Sequence, residues 1–219
     1  TPFQALGAAG TNSLAAKMLM ALIPPNTPFF KLIIDELELQ KSGQSEIMAE
    51  IDKGLRGLEN AVMADIETSN DRVAMFEALK HLIVVGNVLL YITEDGLKVY
   101  YLDRYVVQRD EVGNVLTIIT KESVSTKALD PEFFEQIKQK ENYDADSMED
   151  AEIDIYTKVE RQGNNHVWFQ ECRGEKIPGT DGISPVDVSP FIVLRWTQTD
   201  TNYGTSYVNE YKGDLISLE

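Results

Sequence analysis

The chain has 219 residues, of which 43% are hydrophobic, so it is long and apolar enough to bury a sizeable core as one large domain or two small ones. Its 36 acidic and 20 basic residues give a formal net charge of −16, which opposes binding of nucleic acid or of anionic membranes by the outer surface. Composition therefore argues against a disordered chain and against a protein that wraps DNA with a basic surface.

The longest strongly apolar stretch, Leu82 to Ile92, is well short of the ~20 residues that a membrane-spanning helix needs. The single cysteine, Cys172, cannot form an internal disulfide, and the chain has no Asn-x-Ser/Thr glycosylation site, so we expect assembly inside a cell. The sequence lacks an initiator Met and reaches Glu219 within a helical pattern. We therefore expect it to be a piece of a longer polypeptide.

The first 86 residues are predicted to be mainly helical. A helix is predicted within Thr1 to Ile23, where Leu6, Gly10, Leu14, Met18 and Leu22 return at every fourth position. A long amphipathic helix is predicted from Ser45 to Glu67, packed against a second helix that begins near Val73 and ends near Gly86. Between them, the aromatic and β-branched residues of Phe29 to Ile34 predict one short buried strand.

Residues 87–196 are predicted to be mainly antiparallel β. Three hairpins are expected, in which Val88 to Thr93 pairs with Leu97 to Leu102, Tyr105 to Arg109 with Val115 to Thr120, and Ile153 to Glu160 with Val167 to Glu171. The turn signals are Asp95-Gly96, Val112-Gly113-Asn114 and Gly163-Asn164-Asn165. Phe191 to Trp196 is a further expected strand, so the fold class is α+β, with long amphipathic helices packed on hairpins.

Three other segments complete the expected organisation. Pro131 to Lys140 is predicted to be a short helix capped by Asp130, and Gly174 to Pro190 a loop. In residues 205–219 a last helix is predicted to begin, with the stripe Tyr207, Tyr211, Leu215 and Leu218. The segment Glu141 to Asp154 has seven carboxylates and no Lys or Arg, and we interpret it as a solvated excursion: Glu141, Asp144, Asp146, Glu149, Asp150, Glu152 and Asp154.

Catalytic motifs are weak in this sequence. The two histidines, His81 and His166, lie in no recognisable motif and are interpreted as ordinary structural residues. Cys172 on a strand is interpreted as an inert small hydrophobe. Gly7-Ala8-Ala9-Gly10 lacks the Gly-Lys-Ser/Thr of a phosphate-binding loop, so close helix packing explains it better. We predict no catalytic residues and no cofactor.

Two binding motifs can be considered in the same way. The segment Asp200 to Ser206 begins like a calcium loop, but its glycine stands at position five and Tyr211 occupies the twelfth position, where a Glu is required, so no metal site is predicted. Aromatic residues on expected strands could stack on bases, but with few basic neighbours (Lys98, Arg104, Arg109) core packing explains them better: Tyr100, Tyr101, Tyr105, Trp168 and Phe169.

A known family is indicated by four segments that keep a common order along the chain. They are Thr1 to Leu32, Ala78 to Ile92 (ALKHLIVVGNVLLYI), Tyr105 to Thr120 (YVVQRDEVGNVLTIIT) and Tyr203 to Glu219 (YGTSYVNEYKGDLISLE). Together they resemble the portal, or head-to-tail connector, proteins of short-tailed (podovirus) bacteriophages. Residues 123–190 carry no motif of that family.

The resemblance implies a structural subunit without a catalytic step. It implies a ring of twelve copies at one capsid vertex of the virion, assembled in the host cytoplasm, through which double-stranded DNA is packaged and ejected without sequence specificity. The implied protein partners are the major capsid protein, the terminase large subunit, a tail adaptor protein and scaffolding or internal core proteins. Residues 1–219 would form a wing-like region that lacks the family's stem and clip helices.

Two other functions remain open from the residues alone. One is an acidic binding module that docks a basic partner through the carboxylates of residues 141–154. The other is an unrecognised hydrolase that uses His166 or Cys172.

Overall fold

The computed structural model describes residues 5–34, 48–141, 152–199 and 202–218. Its α-helices are α1 (Leu6–Leu22), α2 (Met48–Thr68), α3 (Asp71–Val85), α4 (Pro131–Glu141), α5 (Tyr207–Glu210) and α6 (Lys212–Leu218). Its strands are β1 (Asn87–Thr93), β2 (Gly96–Tyr100), β3 (Tyr105–Arg109), β4 (Val115–Ser125), β5 (Glu152–Gln162), β6 (Asn165–Cys172), β7 (Glu175–Lys176), β8 (Gly182–Pro185), β9 (Phe191–Arg195), β10 (Thr197–Gln198) and β11 (Gly204–Thr205). The mixture of helices with antiparallel strands confirms the α+β class.

Within these residues the strands form two main sheets. The small sheet has the order β2-β1-β9, and the large sheet has the order β3-β4-β5-β6-β7, with β8 also paired to β6. Every pair in both sheets is antiparallel. The three predicted hairpins are confirmed as β1–β2, β3–β4 and β5–β6, and β4 and β5 are longer than predicted because their pairing continues to Ser125 and Glu152.

The two sheets pack face to face, and helices cover the remaining face of the small one. A core cluster that includes Leu89, Tyr105, Ile118 and Phe191 joins strands of both sheets. On the other side of β1, Val88 and Leu90 pack on Ala78 of α3. Alternate residues of β1 therefore enter two different clusters, which explains why its first four residues are all buried.

Helix α1 forms the outermost layer through Ala15, which is buried against Leu79 and Ile83 of α3. Leu14 and Met18 of the predicted stripe pack on this cluster, whereas Leu6 and Leu22 are exposed. At the far end of the large sheet, Phe133 and Ile137 of α4 pack on Cys172. The backbone N–H groups of Glu132 and Phe133 donate to Asp130 Oδ1, which confirms the predicted cap of α4.

Helix α2 is followed directly by α3, as predicted, but part of its apolar stripe is left uncovered. Its start at Met48 follows residues 45–47, which lie outside the described residues. Met63 is buried, but Leu58 and Val62 are 57% and 44% exposed. Both belong to the apolar residues spaced by three or four positions that predict the amphipathic helix, namely Ile47, Ile51, Leu55, Leu58, Val62 and Ile66. The prediction of a long helix is therefore confirmed, and two residues of its apolar stripe are exposed.

The predicted strand from Phe29 to Ile34 is also wrong, because this segment has no regular secondary structure. It lies along α2, where the backbone N–H of Leu32 donates to Glu59 Oε1 at 2.6 Å and that of Asn26 donates to Glu67 Oε1 at 3.1 Å. These two backbone groups find carboxylates of α2 instead of a neighbouring strand, so the local composition does not produce a sheet.

Several boundaries differ from the predictions. The predicted loop Gly174 to Pro190 contains β7 and β8, which extend the large sheet beside β6. The last helix is interrupted at Tyr211, between α5 and α6. Of the acidic run, residues 142–151 lie outside the described residues, whereas Glu152 and Asp154 belong to β5 and accept bonds from Ser123 Oγ and Lys121 Nζ, at 3.0 and 2.8 Å. In the described ranges no helix has the length and apolarity that crossing a bilayer requires.

Candidate functional site at the junction with the C-terminal helices

The amide side chain of Asn87 fastens the start of the C-terminal segment to the small sheet. Asn87 Oδ1 accepts a bond from the Gly204 backbone N–H, and Asn87 Nδ2 donates to the Gly204 carbonyl, both at 2.8 Å. Asn87 Nδ2 also lies 3.2 Å from the Val85 carbonyl oxygen. The Asn87 side chain, which is only 3% exposed, thus supplies a donor and an acceptor to one distant residue in a water-poor position.

Gly86 allows this approach. Its φ of +80° ends α3 in the left-handed conformation, as the sequence predicts. A Cβ on Gly86 would lie 2.5 Å from the backbone nitrogen of Ser206 and 2.6 Å from the carbonyl carbon of Thr205. The Gly86 carbonyl also accepts a bond of 2.9 Å from the Trp196 N–H. Position 86 therefore requires glycine both for its backbone angle and for the close contact.

Residues Asn202 and Tyr203 bind the backbone of β3. The Arg109 N–H donates to Asn202 Oδ1 at 2.8 Å, and the Val107 N–H donates to the Tyr203 hydroxyl at 3.2 Å. Because β3 stands at the end of the strand order among the described residues, these N–H groups would otherwise face outward from the sheet. The C-terminal segment thus holds β1 of the small sheet and β3 of the large sheet together.

Arg109 connects the β3–β4 hairpin to the small sheet. Its Nη1 donates to the Gly113 carbonyl at 2.8 Å and its Nη2 donates to the Val193 carbonyl of β9 at 3.0 Å. Burial lowers the pKa of the Arg109 guanidinium from its ordinary value, and the neighbouring Arg195 lowers it further. The register between β3 and β4 shifts between Gln108 and Arg109, an irregularity of the kind that redirects side chains.

Ser206 begins the C-terminal helices. Its Oγ accepts a bond of 2.9 Å from the Asn209 N–H, which caps α5. The ring of Tyr207 packs against Trp196 at 5.7 Å between centroids and against Tyr211 at 4.7 Å. The Asn87 side chain of β1, the backbone N–H groups of β3 and the packing of Tyr207 on Trp196 therefore determine where α5 leaves the sheets.

The histidines and the cysteine do not form a catalytic group. His81 of α3 stacks on Tyr101 at 3.9 Å, and burial lowers its pKa, with Lys80 adding to this and Glu77 opposing it. His166 is buried in β6, where desolvation also lowers its pKa. Cys172 lies six positions farther along the same strand, about 20 Å away at the usual rise of a strand, so the two cannot form a nucleophile–base pair.

The residues considered for binding have structural roles. In the calcium-like segment, the Asn202 side chain accepts a bond from the Arg109 backbone N–H, and the Gly204 backbone N–H donates to the Asn87 side chain. Asp200 and Thr201 lie outside the described residues. The described residues contain no group of three or more acidic, histidine or cysteine side chains suited to a metal ion. Gly7 and Gly10 lie in exposed turns of α1, and a Cβ on either would meet nothing within 4 Å, so the close packing predicted for them is wrong.

The aromatic residues do not form one platform for bases. Tyr100 and Tyr105 are buried in the core, and Trp168 packs edge-on against Phe191. Two of their basic neighbours are already bound within the chain, since Lys98 pairs with Glu122 at 2.6 Å and Arg109 holds backbone carbonyls. Tyr101 stacks on His81. Phe169 lies beneath Lys176.

The junction unites three of the segments that carry the family resemblance. Gly86 and Asn87 belong to Ala78–Ile92, Arg109 belongs to Tyr105–Thr120, and Gly204 and Ser206 belong to Tyr203–Glu219. A comparison of the whole sequence agrees with this convergence, because the profile of the family described as bacteriophage head to tail connecting protein matches residues 1–219. The chain belongs to this family.

Relatives of this chain are named portal proteins. The chain is 38% identical to the portal protein of Escherichia phage T7 and 40% identical to that of Enterobacteria phage T3, in each case over 100% of this chain and 42% of the relative. The portal protein of Pseudomonas phage phiKMV is 28% identical over 99% of this chain and 43% of the relative. The chain thus spans about two fifths of the length of these curated relatives.

The sequence indicates the segments that meet at the junction, but not the contacts that join them. Asn87, Arg109 and Asn202 were not predicted as functional residues, because their partners are 84 to 117 positions away and leave no local periodicity. Two local signals were available in the sequence. One is Gly86-Asn87 directly after a predicted helix, and the other is Tyr203-Gly204 at the start of the last segment of the resemblance. Of the carboxylates in residues 141–154 that the sequence suggested for partner binding, Asp154 is paired with Lys121 and Glu152 accepts a bond from Ser123.

Proposed function

We propose that this chain is the wing-like part of a portal subunit, which forms a ring at one vertex of the capsid. The observation that carries the proposal is the family match over residues 1–219, together with relatives named portal proteins at 38% and 40% identity. In this proposal twelve copies surround a channel through which double-stranded DNA is packaged and later ejected, and to which the tail attaches. The role is architectural, without catalysis or a cofactor.

The charge of the chain supports passage of DNA rather than its retention. A wall that neutralises phosphates releases counterions and holds DNA tightly. A chain with a net charge of −16 disfavours such contacts, so that DNA stays hydrated and mobile beside it. Movement through a channel requires this weak attachment.

The junction supports a role in transmitting orientation between parts of the subunit. Helix α5 starts from Ser206, while Gly204 and Tyr203 are bound to both sheets. We propose that the wing sets the direction of the helices that begin at Tyr207, which in this family lead toward the stem. The proposed partners of the ring are the major capsid protein, the terminase large subunit, a tail adaptor protein and scaffolding or internal core proteins, in a virion assembled in the host cytoplasm.

Electron-microscope class averages of the purified intact protein test the proposal. We expect an annulus with a central hole, and twelvefold symmetry in top views. A species that remains monomeric in size measurements at working concentrations would contradict the proposal.

The acidic binding module makes a different prediction for residues 142–150. Deletion of these residues leaves Glu152 and Asp154 in β5, where they bond to Ser123 and Lys121. We expect this shortened protein to form rings of normal size. The binding module is favoured instead if the shortened protein loses binding to a specific basic protein and neither the intact nor the shortened protein assembles into rings.

A further inference from the structure

An open groove of about 1020 Å³ lies between α1, α3 and the C-terminal helices. Its walls are mostly apolar, with Leu14 from α1, Ile83 and Val84 from α3, and Val208 and Leu215 from the last helices. The charged side chains in its wall are two lysines, Lys17 and Lys80. We call this feature the C-terminal groove. It combines an apolar floor with positive charge in a protein whose net charge is −16.

Helix α2 presents an apolar surface whose flanking charge is opposite in sign to that of the C-terminal groove. Leu58 and Val62, on the same face of the helix, are 57% and 44% exposed, and we call this pair the α2 ridge. Asp65 lies three positions after Val62 and seven after Leu58, so it continues that face. Glu59 lies three positions before Val62, but its Oε1 already accepts the bond from the Leu32 N–H. The α2 ridge is therefore an apolar strip that ends at the carboxylate of Asp65.

The basic residues of α2 point away from this ridge. At about 100° per residue, Lys53 and Arg56 each lie about 120° or more around the helix axis from both Leu58 and Val62. The charges nearest the ridge are thus negative, whereas those in the C-terminal groove are positive. The two surfaces are complementary in both polarity and charge.

The ridge of one chain is poorly placed to fill the groove of the same chain. Helix α2 joins α3 at Ser69 and Asn70, beside the first turn of α3. The groove is lined by the last turns of α3, from Lys80 to Val85. The side chains that pack around Ile83 come from α1, α3, Trp196 and Val208, and none of them comes from α2 among the described residues.

We propose that the α2 ridge of one copy of this chain docks into the C-terminal groove of the next copy, with Asp65 facing Lys80. This inference rests on the proposed function, because a closed ring requires two different surfaces on each subunit that fit each other. The occupant of the groove is thus a second copy, bound head to tail. Each subunit offers one ridge and one groove, so the same contact repeats around the ring.

Disulfide crosslinking of the intact protein tests this contact. Val62→Cys on the ridge and Val84→Cys in the groove replace exposed residues, whereas the native Cys172 is fully buried and does not compete. On oxidation the double variant V62C/V84C should form a ladder of linked oligomers up to the size of the ring. A mixture of the two single variants should stop at dimers, because each chain then carries one end of the contact.

The matched control is V62C/V188C. Val188 is an exposed valine in a short turn that belongs to neither surface, so this pair reports random collisions. Rings that give no more crosslinking with V62C/V84C than with V62C/V188C would overturn the inference while leaving the proposed function intact. Absence of rings in the unmodified protein would instead overturn the proposed function.

A charge exchange provides the second test. Asp65→Lys and Lys80→Asp should each raise the concentration needed for assembly by about threefold to tenfold, the range expected for reversing one partly exposed ion pair. The double variant D65K/K80D should recover assembly, because each interface again pairs opposite charges. If the double variant needs as high a concentration for assembly as the single variants, or a still higher one, the proposed pairing is contradicted. This comparison holds even if either single change affects folding.

Discussion

Replacement of Gly86 by alanine tests whether the close contact at the junction holds the C-terminal helices in place. Gly174, in the turn between β6 and β7, is a matched control, since its φ is +78° and that of Gly86 is +80°. A Cβ on Gly174 would meet nothing within 4 Å, whereas a Cβ on Gly86 would lie 2.5 Å from the Ser206 nitrogen. The two substitutions therefore share a backbone cost and differ in the contact alone.

The magnitude follows from these distances. A left-handed alanine costs about 1 to 2 kcal/mol, which is the whole effect expected for Gly174→Ala. At Gly86 the backbone of 205–206 must also retreat by about 0.9 Å to reach ordinary contact near 3.4 Å. Such a shift stretches the two bonds between Asn87 and Gly204, each 2.8 Å long and worth about 0.5 to 1.5 kcal/mol. We expect Gly86→Ala to lower the free energy of unfolding by about 3 to 5 kcal/mol.

Urea unfolding followed by far-ultraviolet circular dichroism and by tryptophan fluorescence measures both variants. The fluorescence of Trp196 is informative because its ring packs on Tyr207 at the start of α5. If Gly86→Ala and Gly174→Ala lose the same stability within about 0.5 kcal/mol, the close approach does not constrain the junction, and the reasoning is refuted.

Three further predictions concern single side chains. Asn87→Ala should lower the free energy of unfolding by about 2 to 4 kcal/mol, because it leaves two buried backbone groups of Gly204 without Asn87 as a partner. Asn60→Ala, at an exposed position, is the control and should change the free energy of unfolding by less than about 0.5 kcal/mol. If urea unfolding shows equal losses in the two variants, the prediction is refuted. Burial, and then the bond to a neighbouring carboxylate, raise the pKa of Tyr100, so this tyrosine stabilises the fold below about pH 10 and the stability is lost as pH rises above it. Unfolding measured between about pH 9 and 11 should therefore depend less on pH in Tyr100→Phe, and an unchanged slope would contradict the assignment. Burial lowers the pKa of both His81 and His166, so the neutral imidazoles stabilise the fold fully above about pH 6.5, and this stability is lost as pH falls through their folded pKa values. Titration followed by nuclear magnetic resonance should place both pKa values below about 6.5, and a midpoint above that pH would be inconsistent with the structure.

The elements that were predicted correctly are those whose signals are local. The β1–β2 hairpin depends on Gly96, which can adopt a φ of +121° because glycine has no side chain. Gly86 ends α3 because it too can adopt a positive φ. The cap of α4 depends on Asp130, two and three residues from the N–H groups that it binds. Such contacts lie within one turn of the chain, so the sequence alone indicates them.

The failures share a different cause. Phe29 to Ile34 has the composition of a strand, but a strand also needs a partner, and the N–H of Leu32 is bound by Glu59 of α2 instead. The regular apolar stripe of α2 did not indicate that Leu58 is exposed, because periodicity shows which residues share a face and not whether another surface covers it. The junction was missed for the same reason, since Asn87 and Gly204 are 117 positions apart.

The position of Asn87 has a mechanical consequence. A pull on α5 along the chain reaches Thr205, which pairs with Thr197 of β10, and then Gly204. The paired bonds of Gly204 to Asn87 transfer the load to β1, which has β2 on one side and β9 on the other. Tyr203 shares part of the load with β3 through the Val107 N–H. Tension is thus spread across the ladders of two sheets, and the chain resists being peeled away one residue at a time.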